Sequence, residues 1–128
     1  MSNAPAPDAY ARLLGIEVTQ HGGGHAEAHV TVTGDHLNPH GTAHGSFLFS
    51  LAGIALAAAA NDAEHSGVVS AVHIDYLSPA REGDRLLATA QVGERMPKED
   101  LFVVRVTRGD DVVARASGRA NRRVRAQG

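Results

Sequence analysis

One stretch limits the fold more than any other: residues 37–61, LNPHGTAHGSFLFSLAGIALAAAAN. Its first third is turn chemistry, with Asn38-Pro39 and then Gly41 and Gly45 among histidines. After Gly45, sixteen residues run to Asn61 with neither proline nor charge. Ala and Leu, both strong helix formers, dominate them. The pattern predicts a loop and then a helix over 44–60, roughly 24 Å long at ~1.5 Å per residue. On a wheel of ~100° per residue, Ser46, Ser50, Gly53 and Ala57 share one narrow stripe. Phe47, Leu48, Phe49, Leu51, Ile54 and Leu56 spread over the other faces. A helix apolar nearly all round is buried, and this one is too short and too Ala-rich for a membrane span. The expectation is a central helix wrapped by other elements, with its small stripe facing a cavity or a partner.

What can wrap it is bounded by size. The chain has 128 residues, enough for one domain with one core. Its formal net charge of −2 gives no global field toward nucleic acid or an anionic membrane. Without cysteine it has no disulfide framework and no thiolate nucleophile. The N-terminus, MSNAPAPDAY, lacks a basic segment and an apolar run, so no signal peptide is expected and a cytoplasmic setting fits.

Residues 1–7 read as a loose tail, 8–121 as a single domain and 122–128 as a basic, frayed tail. Within the domain, 8–14 can form a short helix with Asp8 at its N-cap and Gly15 as the stop. Strands are expected at 16–20, 25–33, 68–77, 86–93, 101–108 and 111–120, with 61–67 a polar connection. Gly109-Asp110 marks a hairpin between the last two. Short links favour antiparallel pairing, and one such sheet must curl to bury a single helix. That is an α+β architecture. One helix cannot cover a whole sheet face, so at least a dimer is expected.

The segments HGTAHGSFLFSLAG…AAAAN and SAVHIDYLSPA…GDRLLATAQV resemble the hotdog-fold acyl-CoA thioesterases, most closely the phenylacetate-pathway (PaaI-type) branch. The resemblance covers the chain from Leu13 to about Ala120. It implies a curved antiparallel sheet around one long central helix, a homodimer whose sheets join, and often a homotetramer. It implies acyl-CoA hydrolysis, with no cofactor other than the coenzyme A of the substrate, at sites between subunits by the helix N-terminus. Gly45 corresponds to the helix-start glycine whose N–H polarises the thioester carbonyl. Asn38 sits where related enzymes carry an Asn or Gln that holds the carbonyl or the attacking water. Gly53 sits where PaaI-type members carry an Asp as base or nucleophile. That acid is absent here.

The physical chemistry agrees with the binding half of such a site. Thioester hydrolysis passes through a tetrahedral oxyanion, which free N–H groups at a helix N-terminus suit. The other half is a group to activate water, worth ~10²- to 10⁴-fold, and Gly53 supplies none. Ser46 and Ser50 share its stripe; they either bond back to helix carbonyls or position a water in place of the Asp. His44 is read as ordering the loop, with a base role as the alternative. On strand 68–77, Ser70, Val72, Ile74 and Tyr76 are expected to point one way, and Ala71, His73, Asp75 and Leu77 the other. Ser70 and His73 are candidates for substrate contact, and Arg81, Arg95 and Lys98 for the coenzyme A phosphates, with ordinary surface charge as the alternative. His36, His40 and His44 are spaced four apart, as are His21, His25 and His29, but turn residues interrupt both sets and no acid completes either. No metal is expected. The reading is therefore a slow acyl-CoA thioesterase acting on a small or aromatic acyl group; the alternative is a non-catalytic acyl-CoA binder or sensor. Neither nucleic acid nor membrane is an expected partner.

Overall fold

The computed structural model describes residues 7–126. In chain order these form α1 (Ala9–Leu14), β1 (Glu17–Gly22), β2 (His25–Thr31), a 3-10 turn (Gly34–His36), α2 (Gly45–Ala59), β3 (His65–Ser66), β4 (Val69–Tyr76), β5 (Arg85–Arg95), β6 (Glu99–Arg108), β7 (Asp111–Asn121) and β8 (Arg123–Val124). Six strands make one antiparallel sheet in the order β1-β2-β5-β6-β7-β4. Helix α2 touches every strand of it. A flat sheet of six strands at ~4.8 Å spacing is far wider than one helix, so the sheet curls. The hotdog architecture expected from the resemblance is the one observed. No helix among the described residues is long and apolar enough to cross a membrane.

The composition of the inner face explains how the sheet comes so close. Ala26, Ala28, Ala88, Ala90, Ala114, Ala116 and Ala120 line it, all buried, between the larger Val30, Leu86, Phe102, Val104 and Val106. Against this Ala-rich trough α2 buries Phe47, Leu48, Leu51, Ile54 and Leu56. Gly118 carries the idea furthest. A Cβ there would lie 2.5 Å from the Leu56 Cδ1 and 2.6 Å from the main-chain oxygen of Ala71 on the next strand. The oxygen cannot move aside without breaking the β4–β7 ladder. Gly118→Ala is thus expected to cost about 1–3 kcal/mol by overpacking, read as a lower urea midpoint at unchanged slope.

Curling is helped by bulges. An extra residue interrupts the register at Thr19 in β1, Ser70 in β4, Gly93 in β5 and Val113 in β7, and each adds local twist. Two sequence-based expectations change as a result. Ser70 is the bulge residue, so the alternation along β4 holds only from Ala71 onward: Val72, Ile74 and Tyr76 lie opposite inward-facing Gly118, Ala116 and Ala114, and His73 and Asp75 opposite Ser117 and Arg115. In addition, β4 does not pair with β5 despite the short link. Segment 77–84 crosses the end of the sheet with Ala80 fully buried, and β4 joins β7 at the far edge.

Two smaller differences concern the polar segments. The connection 61–67 contains β3, and the stretch expected to fray after Asn121 contains β8, paired with it. Arg125 secures this end by donating from Nε to the carbonyls of Asp62 and His65, at 2.7 and 3.2 Å. Of the loose tail expected at 1–7, residues 1–6 lie outside the described residues.

Candidate active site at the start of the central helix

A helix leaves its first N–H groups without intrahelical acceptors, and their fate decides what this end can bind. His44 is the N-cap, extended at φ −64° and ψ 140°. Its ring Nδ1 accepts the Ser46 N–H at 3.0 Å. Its main-chain oxygen accepts the N–H groups of Phe47 and Leu48, at 2.9 and 3.1 Å. The Gly45 N–H finds no acceptor among the described residues. The helix thus presents one open donor, with the positive end of its dipole behind it. His44→Ala should lose the Ser46 cap and about 1 kcal/mol of stability, seen as a lower melting temperature. His44→Asn, which can cap in the same way, should recover most of it.

The loop before Gly45 is held by its own main chain. Leu37 and Ala43 form an isolated antiparallel bridge. The Asn38 Oδ1 accepts the N–H groups of His40 and Thr42, at 2.9 and 3.1 Å, and its Nδ2 donates to the Thr42 hydroxyl at 2.8 Å. Asn38 therefore shapes the turn with its carboxamide oxygen, and one hydrogen of its NH₂ group is left over. Gly41, at φ 83°, takes a left-handed conformation that suits glycine. At the far end of the loop the Ala43 N–H donates to the Ala80 carbonyl at 2.7 Å and the His44 N–H to that of His36 at 2.8 Å.

Tyr76, which sequence reasoning did not single out for the site, closes one side. Its hydroxyl donates to the Gly45 carbonyl at 2.9 Å, and a Cβ on Gly45 would lie 3.2 Å from its ring. Glycine at 45 thus makes room for this ring as well as for any ligand. Its shared parity with Val72 and Ile74 was legible in the strand, but its contact with Gly45, 31 positions away, was not.

The small stripe of α2 is where the wheel placed it. Ser46 is exposed, and Ser50, Gly53 and Ala57 are half buried. Phe49, assigned from sequence to the other faces, is 42% exposed and borders the stripe. The Ser50 hydroxyl donates to the Ser46 carbonyl at 2.9 Å and lies 3.1 Å from the Tyr10 hydroxyl of α1, so it is committed. A Cβ at Gly53 would meet nothing within 4 Å. The space that an acid would fill is open.

The remaining candidates are scattered. Arg81 is exposed on the 77–84 link, whose Ala80 anchors the loop. Its N–H donates to the Asp84 carboxylate at 2.9 Å. That bond, and then Arg108, hold the Asp84 carboxyl below the usual range. The stability this lends is present above the ordinary Asp range and lost as pH falls through the lowered value; Asp84→Asn should flatten that limb of an acid-unfolding curve. Arg95 spends its guanidinium on buried Asp100 at 2.8 Å, and Lys98 lies in the same hairpin, at the end of the sheet where α2 finishes. Ser70 bonds the Arg119 carbonyl at 3.3 Å. His73 bonds Asp75 at 3.1 Å on the outer face. Arg95, Lys98, Ser70 and His73 are not brought to Gly45 within one chain.

Two clefts among the described residues also lie elsewhere. One, of about 1100 Å³, runs between α1, β1 and the end of β2. The other, of about 620 Å³, lies on the outer face around Leu101 and Val103. Neither is lined by Gly45, Ser46 or Gly53.

Known proteins give the same picture. Residues 40–115, which include Gly45, Gly53 and Tyr76, match the thioesterase superfamily model. The chain is 39% identical to acyl-coenzyme A thioesterase PaaI of Escherichia coli K12 over 90% of its own length and 83% of that protein. The solved structure of E. coli PaaI, from the phenylacetic acid degradation operon, superposes with a TM-score of 0.85 at 38% identity, covering 91% of this chain and 85% of that one. A mutant of the phenylacetic acid degradation protein PaaI from Thermus thermophilus also reaches 0.85, at 32% identity, covering 89% of this chain and 98% of that one. With fold and sequence in agreement, the chain belongs to the thioesterase superfamily.

Proposed function

We propose that the protein hydrolyses the thioester of a small or aromatic acyl-CoA, releasing the free acid and coenzyme A. The observation that carries this reading is the single open N–H of Gly45 at the head of a buried helix. The thioester oxygen would accept that N–H, and its negative charge grows as water adds to the carbonyl carbon. The C–S bond then breaks, coenzyme A leaves as thiolate and takes up a proton from the attacking water. The E. coli relative named for acyl-CoA chemistry supports the substrate class.

Water activation is the weak half. Gly53 offers no base, Ser50 is committed, and the Ser46 hydroxyl has no partner among the described residues. Turnover is therefore slow, with water held by Ser46 or by a carboxylate of a second copy. A second copy has a place to dock. The outer edge of β4 is unpaired among the described strands, and Val68, Tyr76, Leu77 and Phe49 stand exposed beside it. Joining two sheets through β4 would cover them and wall the helix start, in a dimer that can pair again to a tetramer. Arg81, exposed on the link that anchors the loop, would meet the coenzyme A phosphates.

The test is thiol release from short, medium and aromatic acyl-CoA thioesters, with calorimetry on the same panel. Slow release from at least one supports the reading. Binding without release would favour a sensor, and neither binding nor release would sink both.

A further inference from the structure

Two polar side chains are buried among the described residues, His36 and Asp100. Asp100 is answered by Arg95 and Arg122 near the hairpin that joins β5 to β6. His36 lies where the loop begins, and the reaction as described makes no use of it. Its ring Nδ1 is 2.9 Å from the Thr33 main-chain nitrogen, and its Nε2 is 2.9 Å from the Leu14 carbonyl oxygen. A peptide N–H can only donate and a carbonyl only accept, so the proton sits on Nε2 and the lone pair on Nδ1. A half turn of the ring would put carbon against both partners. The ring also stacks on Phe47, with centroids 3.9 Å apart and planes 11° from parallel.

These contacts grip both sides of the open donor. On one side, the His36 carbonyl takes the His44 N–H at 2.8 Å, fixing the residue whose peptide carries the Gly45 nitrogen. On the other, the stack fixes Phe47 in the first turn of α2. The Leu14 bond ties the assembly to the end of α1.

We infer that His36 is a positioning residue of the site: the bonds of its ring to Thr33 and Leu14 seat both the carbonyl that takes the His44 N–H and the face that packs on Phe47, and so aim the Gly45 N–H between them. The inference rests on the thioesterase reading. It predicts a loss in the transition state rather than in substrate binding, because the His36 ring is buried and both its nitrogens are already paired within the protein.

The test compares wild type, His36→Phe and His36→Gln, each assayed well below its own melting temperature. His36→Phe keeps the stack and loses both hydrogen bonds. It should lose about ten-fold or more in kcat at unchanged KM. In His36→Gln the side-chain amide can donate again to the Leu14 carbonyl, and part of the loss should return. By amide exchange, Ser46 and Phe47 should open about ten-fold faster in His36→Phe while Val104 and Val106 keep wild-type rates. If His36→Phe does not fold, His36→Gln is judged against wild type by the same two readouts. Wild-type kcat in a folded variant with a lowered melting temperature would make His36 a stabiliser only and overturn the inference. Should wild type cleave no acyl-CoA, the thioesterase reading fails and exchange alone decides. Unchanged protection at Ser46 and Phe47, or a uniform rise through the core, would then overturn the role of His36.

Discussion

Gly45→Pro is expected to lower kcat/KM by about 10²- to 10³-fold, the usual cost of removing one oxyanion donor, while α2 stays intact. Proline is an informative probe here because the first helical position tolerates it well: the missing N–H is one that the helix does not use. The residue before a proline must be extended, and His44 already is. Gly45 is not among the glycines of positive φ, so the ring imposes no left-handed strain. What the substitution removes is the open N–H, and its ring carbon takes the place of the hydrogen. Gly45→Ala is the control. It keeps the donor but sets a Cβ 3.2 Å from the Tyr76 ring, which is half exposed and can yield. A proline variant as active as the alanine variant, with unchanged circular dichroism, would show that this amide does not hold the thioester oxygen.

Gly53→Asp should raise kcat by about ten-fold or more, toward the ~10²- to 10⁴-fold typical of a general base. The carboxylate enters open space, since a Cβ at this position meets nothing within 4 Å. Glycine inside a helix costs roughly 1 kcal/mol relative to alanine, so the substitution is not expected to weaken α2. Gly53→Asn separates chemistry from shape, because it fills the same volume without a basic oxygen. Gain in the Asp variant alone says that the scaffold is a hydrolase short of its base. Equal behaviour of Asp, Asn and wild type says that water is activated from another position.

How legible the fold was follows from what sets each element. Helix α2 was readable to within a residue at each end, because its apolar run is long and its start is punctuated by Gly41 and Gly45. The main strands were readable from β-branched runs, and the closed architecture followed from one helix and many strands. The four bulges were not, because a bulge arises from the fit between two strands. The same is true of β4 crossing to β7, and of β8, which depends on Arg125 finding two carbonyls across the chain. In the candidate site, Gly45 was singled out through the resemblance, but the reason that its N–H is open was not legible. That needed the His44 ring folded back onto Ser46. Tyr76 and His36 were hidden in the same way, since their roles are contacts with residues 31 and 22 positions away in sequence.

The bonds that fix the far end of the loop delivering Gly45 run between peptide groups: Leu37 bridged to Ala43, Ala43 to Ala80, His44 to His36. Peptide groups are the same whatever side chain they carry. Pro39 and His40 can therefore be exchanged with little disturbance to the angle at which the Gly45 N–H is offered. Selection can rewrite the tip of such a loop and inherit its aim unchanged.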